Sequence, residues 1–202
     1  MVYSIIKFVS FAFFKLYLDF KIYGKGNIPR KGAFIVAANH ASYLDPLLLV
    51  VTFRKNLYFI ARQRLFAVPL IGWVLKQVKA IPVKRHGKDT GPIKNALSVL
   101  REGKILAVFP EGTRSKNRKF KTAKPGVGFI VSKAKVPVLP VYIESSFDAQ
   151  PRGIRTLKRY PVRVHIGKPI DFSKEPARFH KAELYQAIGD EIMRAIAAMK
   201  KF

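Results

Sequence analysis

The stretch Phe34–Pro46, FIVAANHASYLDP, predicts a buried strand, a turn and then the start of a helix. The Asp45-Pro46 pair is typical of a helix start, with an acid at the N-cap and proline at the first helical position. On one continuous helix His40 and Asp45 would point about 140° apart, but a turn between strand and helix can bring them together. Asp45 could then orient one ring nitrogen of His40 while the other acts as a general base on a hydroxyl. This stretch alone has a simpler explanation, in which His40 ends the strand and Asp45 only caps the helix.

A second stretch, Ile105–Phe120, reads ILAVFPEGTRSKNRKF and strengthens the case for a site. Its continuous apolar run predicts a buried parallel strand, and ligands bind off the carboxyl ends of such strands in open α/β sheets. His40 also follows the end of a strand, so both segments can face one cleft. Gly112 allows close backbone approach, Thr113 offers a hydroxyl, and Arg114 offers a bidentate fork for phosphate. A plain turn with a solvated arginine is the structural alternative.

The rest of the chain alternates short β-like runs with helical stretches, which indicates an α/β fold. We expect a mostly parallel or mixed central sheet of about seven strands covered by helices. The predicted strands are Asp19–Tyr23, Ala33–Ala38, Leu57–Ala61, Ala80–Val83, Ile105–Phe109, Val138–Glu144 and Val162–Ile166. The predicted helices are Pro46–Phe53, Phe66–Gln77, Gly91–Glu102, Val127–Ala134 and Ala177–Met199.

The N-terminal segment, residues 1–18, is apolar and aromatic, with Lys7 and Lys15 inside it. It lacks a small-residue cleavage site, and a helix that spans a bilayer needs about 20 apolar residues, so a signal peptide and a spanning helix both fit poorly. A helix lying in the headgroup region and a helix packed on the domain remain as alternatives. Its thin polar face and high aromatic content favour the interfacial helix. Residues 19–202 then form one domain.

The two polar motifs, with their order and separation, resemble the glycerolipid acyltransferases, and specifically the lysophosphatidate (1-acylglycerol-3-phosphate) acyltransferases. Asn39-His40-x-x-x-x-Asp45 precedes Phe109-Pro-Glu-Gly-Thr-Arg-Ser115, as in that family. Weaker likenesses lie at Ala61–Gly72, Ile81–Arg85 and Val136–Val141.

The resemblance implies that His40 is the catalytic base, that Asp45 orients it, and that acyl transfer from a thioester to a lysophospholipid hydroxyl proceeds without an acyl-enzyme. It implies that the glycerol-phosphate is held by Glu111, Gly112, Thr113 and Arg114, with Arg85 and Arg62 adding positive charge. The absence of cysteine and of a G-x-S-x-G motif agrees with a mechanism that lacks an enzyme nucleophile. Acyl-CoA and acyl carrier protein both remain possible donors, and glycerol-3-phosphate or another lysophospholipid remains an alternative acceptor.

The 202 residues carry 38 Lys and Arg against 12 Asp and Glu, a net charge of +26, yet 49% of the residues are apolar. A chain with this much apolar material can bury a hydrophobic core, so we expect a folded protein with the positive charge on its surface. Such a surface attracts an acidic partner. A basic nucleic-acid-binding module is the alternative of a different class, but no nucleic-acid-binding signature is visible, so we expect no nucleic acid. We expect instead an anionic membrane surface and phosphate-bearing substrates, with the protein peripheral or monotopic on the cytoplasmic face of a membrane.

Four scattered histidines without metal-ligand spacing, and no cysteine, predict no metal site and no cofactor beyond the acyl donor. His86, His165 and His180 have no acid in a matching pattern, and we interpret them as structural or surface residues. We interpret Ser42 as a turn or capping hydroxyl.

Overall fold

A computed structural model describes residues 2–77, 79–83, 90–151, 153, 156–173 and 181–200. The helices in this part of the chain are α1 Val2–Tyr17, α2 Asp45–Thr52, α3 Pro69–Gln77, α4 Gly91–Arg101, α5 Pro125–Ala134, α6 Ser146–Ala149 and α7 Lys181–Ala198. The strands are β1 Lys21–Tyr23, β2 Phe34–Ala38, β3 Leu57–Arg62, β4 Ile81–Val83, β5 Ile105–Val108, β6 Val138–Glu144 and β7 Arg163–Ile166. Two 3-10 helices span Lys25–Asn27 and Gln63–Ala67.

The seven described strands form one sheet in the order β1-β7-β6-β2-β5-β3-β4. Its strand pairs are parallel except for β6 with β7, which is antiparallel. The α/β class and the mostly parallel sheet predicted from the sequence are therefore confirmed. Because β2 and β5 are parallel neighbours, the segments that follow them leave the sheet at the same edge.

The core lies on both faces of the sheet, as the central strand β2 shows. All five of its residues are fully buried, because helices cover the sheet on each side. Phe34, Val36 and Ala38 pack with α1 and α2, and the alternate residues Ile35 and Ala37 pack with α4, α5 and α7. Parallel strands buried on both faces explain the continuous apolar runs in the sequence.

The observed boundaries depart from the predicted ones where the local chain chemistry decides them. The predicted helix Phe66–Gln77 is divided into the 3-10 helix Gln63–Ala67 and α3, because Pro69 favours the first turn of a new helix. Strand β1 is shorter than predicted, and α6 was not predicted. The last helix is described from Lys181 onward, and residues 177–180 of the prediction lie outside the described residues.

Helix α1 is packed against the domain along one side. Phe14 is buried in the core beside Leu18 and Phe20, and the Tyr3 hydroxyl accepts a hydrogen bond of 3.2 Å from the backbone N–H of Leu57. The Lys7 ammonium donates to the carbonyl of Phe53, just after α2.

The opposite side of α1 is apolar and exposed. Val2, Ile5, Phe8, Val9, Phe11, Phe13 and Leu16 all lie there or at its edges with large exposed fractions. The helix therefore packs on the domain through one side and leaves an apolar side uncovered. Its placement in a headgroup region stays a prediction. No helix in the described residues combines the length and the apolar character that crossing a bilayer requires.

The Phe14→Ala variant tests how far α1 belongs to the core. We expect the free energy of unfolding to fall by about 3–5 kcal/mol in urea titrations, because a buried aromatic ring is replaced by a cavity. The matched control is Phe8→Ala on the same helix, where the ring is 73% exposed, with an expected change within about 0.5 kcal/mol. Equal losses in the two variants would contradict the packing of α1.

Candidate active site

The structure brings His40 and Asp45 into contact at the carboxyl end of β2. The Nδ1 atom of His40 lies 2.8 Å from Oδ2 of Asp45. The Asp45 side chain is fully buried, whereas that of His40 is 17% exposed. The pair predicted from the sequence is therefore formed, with the carboxylate inside the protein and the imidazole at its surface.

The carboxylate of Asp45 is oriented by the turn that precedes α2. Its Oδ2 accepts backbone hydrogen bonds from Ala41 at 2.7 Å and Ser42 at 2.8 Å. The prediction that Asp45 is the N-cap was wrong: Leu44 takes that position, and Asp45 is the first residue of α2. The reason is that the side chain is used by the turn and by His40 instead of by the N–H groups of its own helix. The Ser42 hydroxyl accepts a bond from the Leu44 N–H, as a turn residue does.

Glu111 ties the two motifs together through the backbone. It is 2% exposed; its Oε1 accepts the N–H of His40 at 2.8 Å, and its Oε2 accepts the N–H of Lys121 at 3.1 Å. A second link runs from the N–H of Ser115 to the carbonyl oxygen of His40 at 2.7 Å. Burial raises the pKa of Glu111 to about 7, against the lowering effect of the two N–H groups and of the Lys121 charge.

Two residues that the sequence did not identify hold His40 from other sides. The amide of Asn39 exchanges two hydrogen bonds with the backbone of Ile143, donating to its carbonyl at 3.0 Å and accepting its N–H at 2.7 Å. The Phe109 ring stacks on the His40 ring with centroids 4.0 Å apart. Both residues sit next to the motifs in sequence, but their roles depend on which strands are neighbours.

The loop after β5 carries most of the predicted substrate-binding residues. Gly112 adopts φ +65°, and a Cβ there would lie 3.2 Å from Cγ of Lys124, so glycine suits the position. Its carbonyl accepts a 3.2 Å bond from the Arg62 guanidinium, and Thr113 accepts one from the Lys121 ammonium. The structure thus brings Arg62 to this loop.

The Arg114 guanidinium lies over the Tyr43 ring, 3.3 Å from its centroid. This cation–π contact joins the loop after β5 to the turn that follows His40. Arg85 lies outside the described residues, as do His86 and His180. His165 is paired with Glu144 at 2.9 Å and stacks on Tyr142.

A cavity of about 640 Å³ opens beside His40. Its wall is mainly apolar and is formed by β3, β5 and helices on both sides of the sheet edge. The apolar lining residues include Leu47, Val50, Phe59, Leu65, Leu75 and Ile130. Arg62, Arg114 and Lys124 also line it, and we call these three residues the basic rim. The cavity therefore combines an apolar interior with positive charge next to the histidine.

These features define the chain as an α/β enzyme whose site lies at the carboxyl edge of its sheet. A family model described as Acyltransferase matches residues 19–144. The 1-acyl-sn-glycerol-3-phosphate acyltransferase of Bacillus subtilis is 28% identical over 176 residues, with 85% of each chain covered. The protein of that name from Borreliella burgdorferi is 28% identical over 179 residues, with 88% of this chain and 71% of the relative covered.

Among solved structures, the crystal structure of the 1-acyl-sn-glycerophosphate (LPA) acyltransferase PlsC from Thermotoga maritima is similar throughout. The TM-score is 0.77 at 28% identity, with 100% of this chain and 81% of that chain covered. The chain belongs to the acyltransferase family and is an acyltransferase.

The Glu111→Gln variant tests the buried carboxyl group. In the unfolded chain the Glu111 carboxyl group loses its proton above its ordinary pKa of 4.5, whereas in the native state it keeps the proton up to about pH 7. The stability that Glu111 contributes therefore falls as pH rises from about 4.5 to about 7. The expected fall is up to about 3 kcal/mol, and Glu111→Gln should remove it from the pH dependence of urea unfolding. The exposed Glu102→Gln is the control and should keep the fall. An unchanged pH dependence in Glu111→Gln would contradict the raised pKa.

Proposed function

We propose that this enzyme transfers an acyl chain from an acyl thioester to the free hydroxyl of 1-acylglycerol-3-phosphate, which gives phosphatidic acid. The observation that carries the proposal is the His40–Asp45 pair at the mouth of the apolar cavity, with the basic rim beside it. A substrate with a hydrocarbon chain, a reacting hydroxyl and a phosphate matches these three features. The two relatives from Bacillus subtilis and Borreliella burgdorferi are 1-acyl-sn-glycerol-3-phosphate acyltransferases, which supports the same substrate.

The mechanism begins with proton transfer to His40. Since Asp45 accepts a hydrogen bond from Nδ1, that nitrogen carries the proton of the neutral ring and Nε2 is left with its lone pair. Nε2 takes the proton of the acceptor hydroxyl as the oxygen attacks the thioester carbonyl carbon. The Asp45 carboxylate stabilises the imidazolium that forms, and the Phe109 ring limits rotation of the imidazole.

The second half of the reaction breaks the carbon–sulfur bond. The tetrahedral intermediate expels the thiolate, and the imidazolium returns its proton to the sulfur, so the products are an ester and a free thiol. No acyl-enzyme is needed: the chain has no cysteine, and the Ser115 hydroxyl donates to the carbonyl of Lys119. Orientation of the two substrates then supplies much of the rate enhancement.

The basic rim is the proposed site of the acceptor phosphate. The planar guanidinium of Arg114 lies over the Tyr43 ring, and a planar group of this kind suits bidentate phosphate binding. Arg62 and Lys124 add charge, Gly112 allows close backbone approach, and Thr113 supplies a hydroxyl. Arg85 stays part of the proposal, although it lies outside the described residues.

We propose that Glu111 acts on the substrate indirectly, by positioning other residues. Both of its oxygens are used by backbone N–H groups, so the carboxyl group positions His40 and the loop that carries Arg114. It would then act on the acceptor through these residues and not by direct contact with the phosphate.

The acyl donor and the acceptor can be identified in one assay. Purified protein is offered acyl-CoA or acyl carrier protein as donor and lysophosphatidate or glycerol-3-phosphate as acceptor, without added cofactor. Phosphatidic acid formed from lysophosphatidate supports the proposal. Transfer only to glycerol-3-phosphate would overturn the proposed acceptor and leave the proposed base intact.

We also place the enzyme at an anionic membrane surface, peripheral or monotopic on its cytoplasmic face. The support is the exposed apolar side of α1 together with the net charge of +26. Each Lys or Arg close to an anionic bilayer contributes about 1 kcal/mol of attraction.

Removal of the base tests the mechanism. In His40→Ala we expect kcat to fall about 10²–10⁴-fold, and in Asp45→Asn at least about 10²-fold, because the wrong ring tautomer is favoured. Binding of radiolabelled lysolipid in micelles should persist in both. The control is His165→Ala, which removes the other histidine paired with a carboxylate among the described residues and should keep its turnover. Full turnover in a folded His40→Ala protein would overturn the assignment of the base.

Substitution of Arg114 tests the proposed phosphate site. Arg114→Ala should raise the apparent KM for lysophosphatidate about 10–100-fold with a smaller effect on kcat, since hydrogen bonds to charged groups contribute about 1.5–3 kcal/mol. Arg114→Lys should recover part of the loss. The exposed Lys116→Ala in the same loop is the control for a general loss of charge, and an equal KM in Lys116→Ala and Arg114→Ala would count against phosphate contact.

A further inference from the structure

The outer side of α3 carries an exposed apolar patch that the acyl-transfer site does not use. Val68 is 43% exposed and Trp73 is 49% exposed, and Pro69 is exposed between them. Pro69 and Trp73 are four residues apart, and the exposed Lys76 follows three residues later, so these three lie on one side of the helix. We call Val68, Pro69 and Trp73 the α3 patch.

Helix α3 stands between the cavity and the outside of the protein. Leu75 lines the cavity, and Trp73 lies two residues away, about 200° around the helix and thus on the opposite side. Leu65 of the preceding 3-10 helix lines the cavity as well. Gly72 permits close packing of the two helices, because a Cβ at this position would lie 2.2 Å from the Phe66 carbonyl oxygen. The α3 patch therefore lies on the outer side of a helix whose inner side lines the cavity.

The topology puts α3 on the same face of the sheet as α1 and α2. Helix α2 connects β2 to β3, and α3 connects β3 to β4 in the same direction along the sheet. Because such crossovers are right-handed, both helices cover one face, and α1 packs on α2. The α3 patch and the uncovered apolar side of α1 thus belong to one face of the protein.

The charges around the α3 patch are positive. Lys76 is exposed on the same side of α3, the exposed Arg64 precedes the patch in the chain and lines the cavity, and the sequence has no Asp or Glu between Asp45 and Asp89. Tryptophan at the border of an apolar and a cationic surface is typical of contact with the interfacial region of a bilayer. A protein partner would need its own acidic and apolar complement, whereas an anionic bilayer supplies both at once.

We propose that the α3 patch is a second bilayer contact, which inserts Trp73 at headgroup depth of an anionic membrane. This contact fixes the protein on the membrane at a second point, on the side of α3 that is turned away from the cavity. The inference rests on the proposed function for the membrane location of the enzyme and for the lysophosphatidate used in its test. It assigns a surface that the reaction itself does not require.

The chain's one tryptophan makes this contact directly measurable. Intrinsic fluorescence of the wild type is recorded with vesicles of phosphatidylcholine and phosphatidylglycerol, and with the same vesicles carrying brominated acyl chains. We expect a blue shift of the emission and quenching by the brominated lipid. Unshifted, unquenched emission from protein that co-sediments with the vesicles would overturn the proposal, since α1 alone would then make the contact. A blue shift that grows with protein concentration in the absence of vesicles would also overturn it, in favour of a second copy on the α3 patch.

Substitutions separate the contribution of each group to vesicle binding. Trp73→Ala should weaken partition into the anionic vesicles about tenfold, and Trp73→Phe should restore most of it. Lys76→Gln should weaken it about fivefold, which corresponds to one lysine near an anionic surface. The matched control is Lys94→Gln on α4, on the other face of the sheet, with no expected effect. Equal partition of Trp73→Ala and wild type, with both folded by circular dichroism, would overturn the proposal.

An activity assay distinguishes failure of this inference from failure of the proposed function. Trp73→Ala should keep wild-type turnover of lysophosphatidate in detergent micelles and lose about tenfold when the same lipid is presented in anionic vesicles. Equal turnover of the two proteins in vesicles would overturn the α3 contact while leaving acyl transfer established. If wild type transferred no acyl chain in micelles, the proposed function would fail instead, and the fluorescence result would still decide the contact.

Discussion

The site depends on one oxygen atom, Oδ2 of Asp45, which accepts three hydrogen bonds at the start of α2. Two come from the backbone of Ala41 and Ser42, and the third joins it to Nδ1 of His40. The backbone bonds fix the carboxylate before any substrate arrives, and the carboxylate in turn fixes the ring. Since the group is fully buried, its attraction for a proton-bearing nitrogen is weakly screened. Local turn geometry and the proposed chemistry thus depend on the same atom.

The sheet order carries that local arrangement to the rest of the site. Because β2 lies between β5 and β6, the turn that bears His40 is held from both sides, by Glu111 after β5 and through Asn39 by the backbone of β6. A displacement of any of these three strands would move the His40 imidazole relative to the basic rim. The buried Glu111 has a cost, because desolvation raises the pKa of its carboxyl group to about 7 and ties stability to pH. This cost follows from burying a carboxyl group that bridges two loops.

How far the sequence predicted the structure depends on the range of each interaction. The continuous apolar runs predicted the buried strands, and the bounds of Val138–Glu144 were predicted to the residue. A strand buried on both faces has apolar side chains at almost every position, so its sequence is easy to recognise. The N-cap assignment of Asp45 was wrong because its side chain serves the preceding turn. Asn39 and Phe109 were missed as positioning residues, since their contacts are with Ile143 and His40 across the sheet edge and no local pattern encodes them.

The sequence by itself determined the α/β class, because strands and helices alternate along the chain. The acyltransferase motifs depend on residue type at short spacing, and only their resemblance to a known family favoured the His40–Asp45 pair over a simple strand end and helix cap. Only the tertiary structure decided that Glu111 faces the backbone, that Arg114 lies over Tyr43, and that one cavity joins the histidine to the basic rim. It also decided that α1 is packed on one side and bare on the other. The physical reason is that side chains far apart in the chain come together only after the parallel strands have paired, and that pairing is a property of the whole sheet.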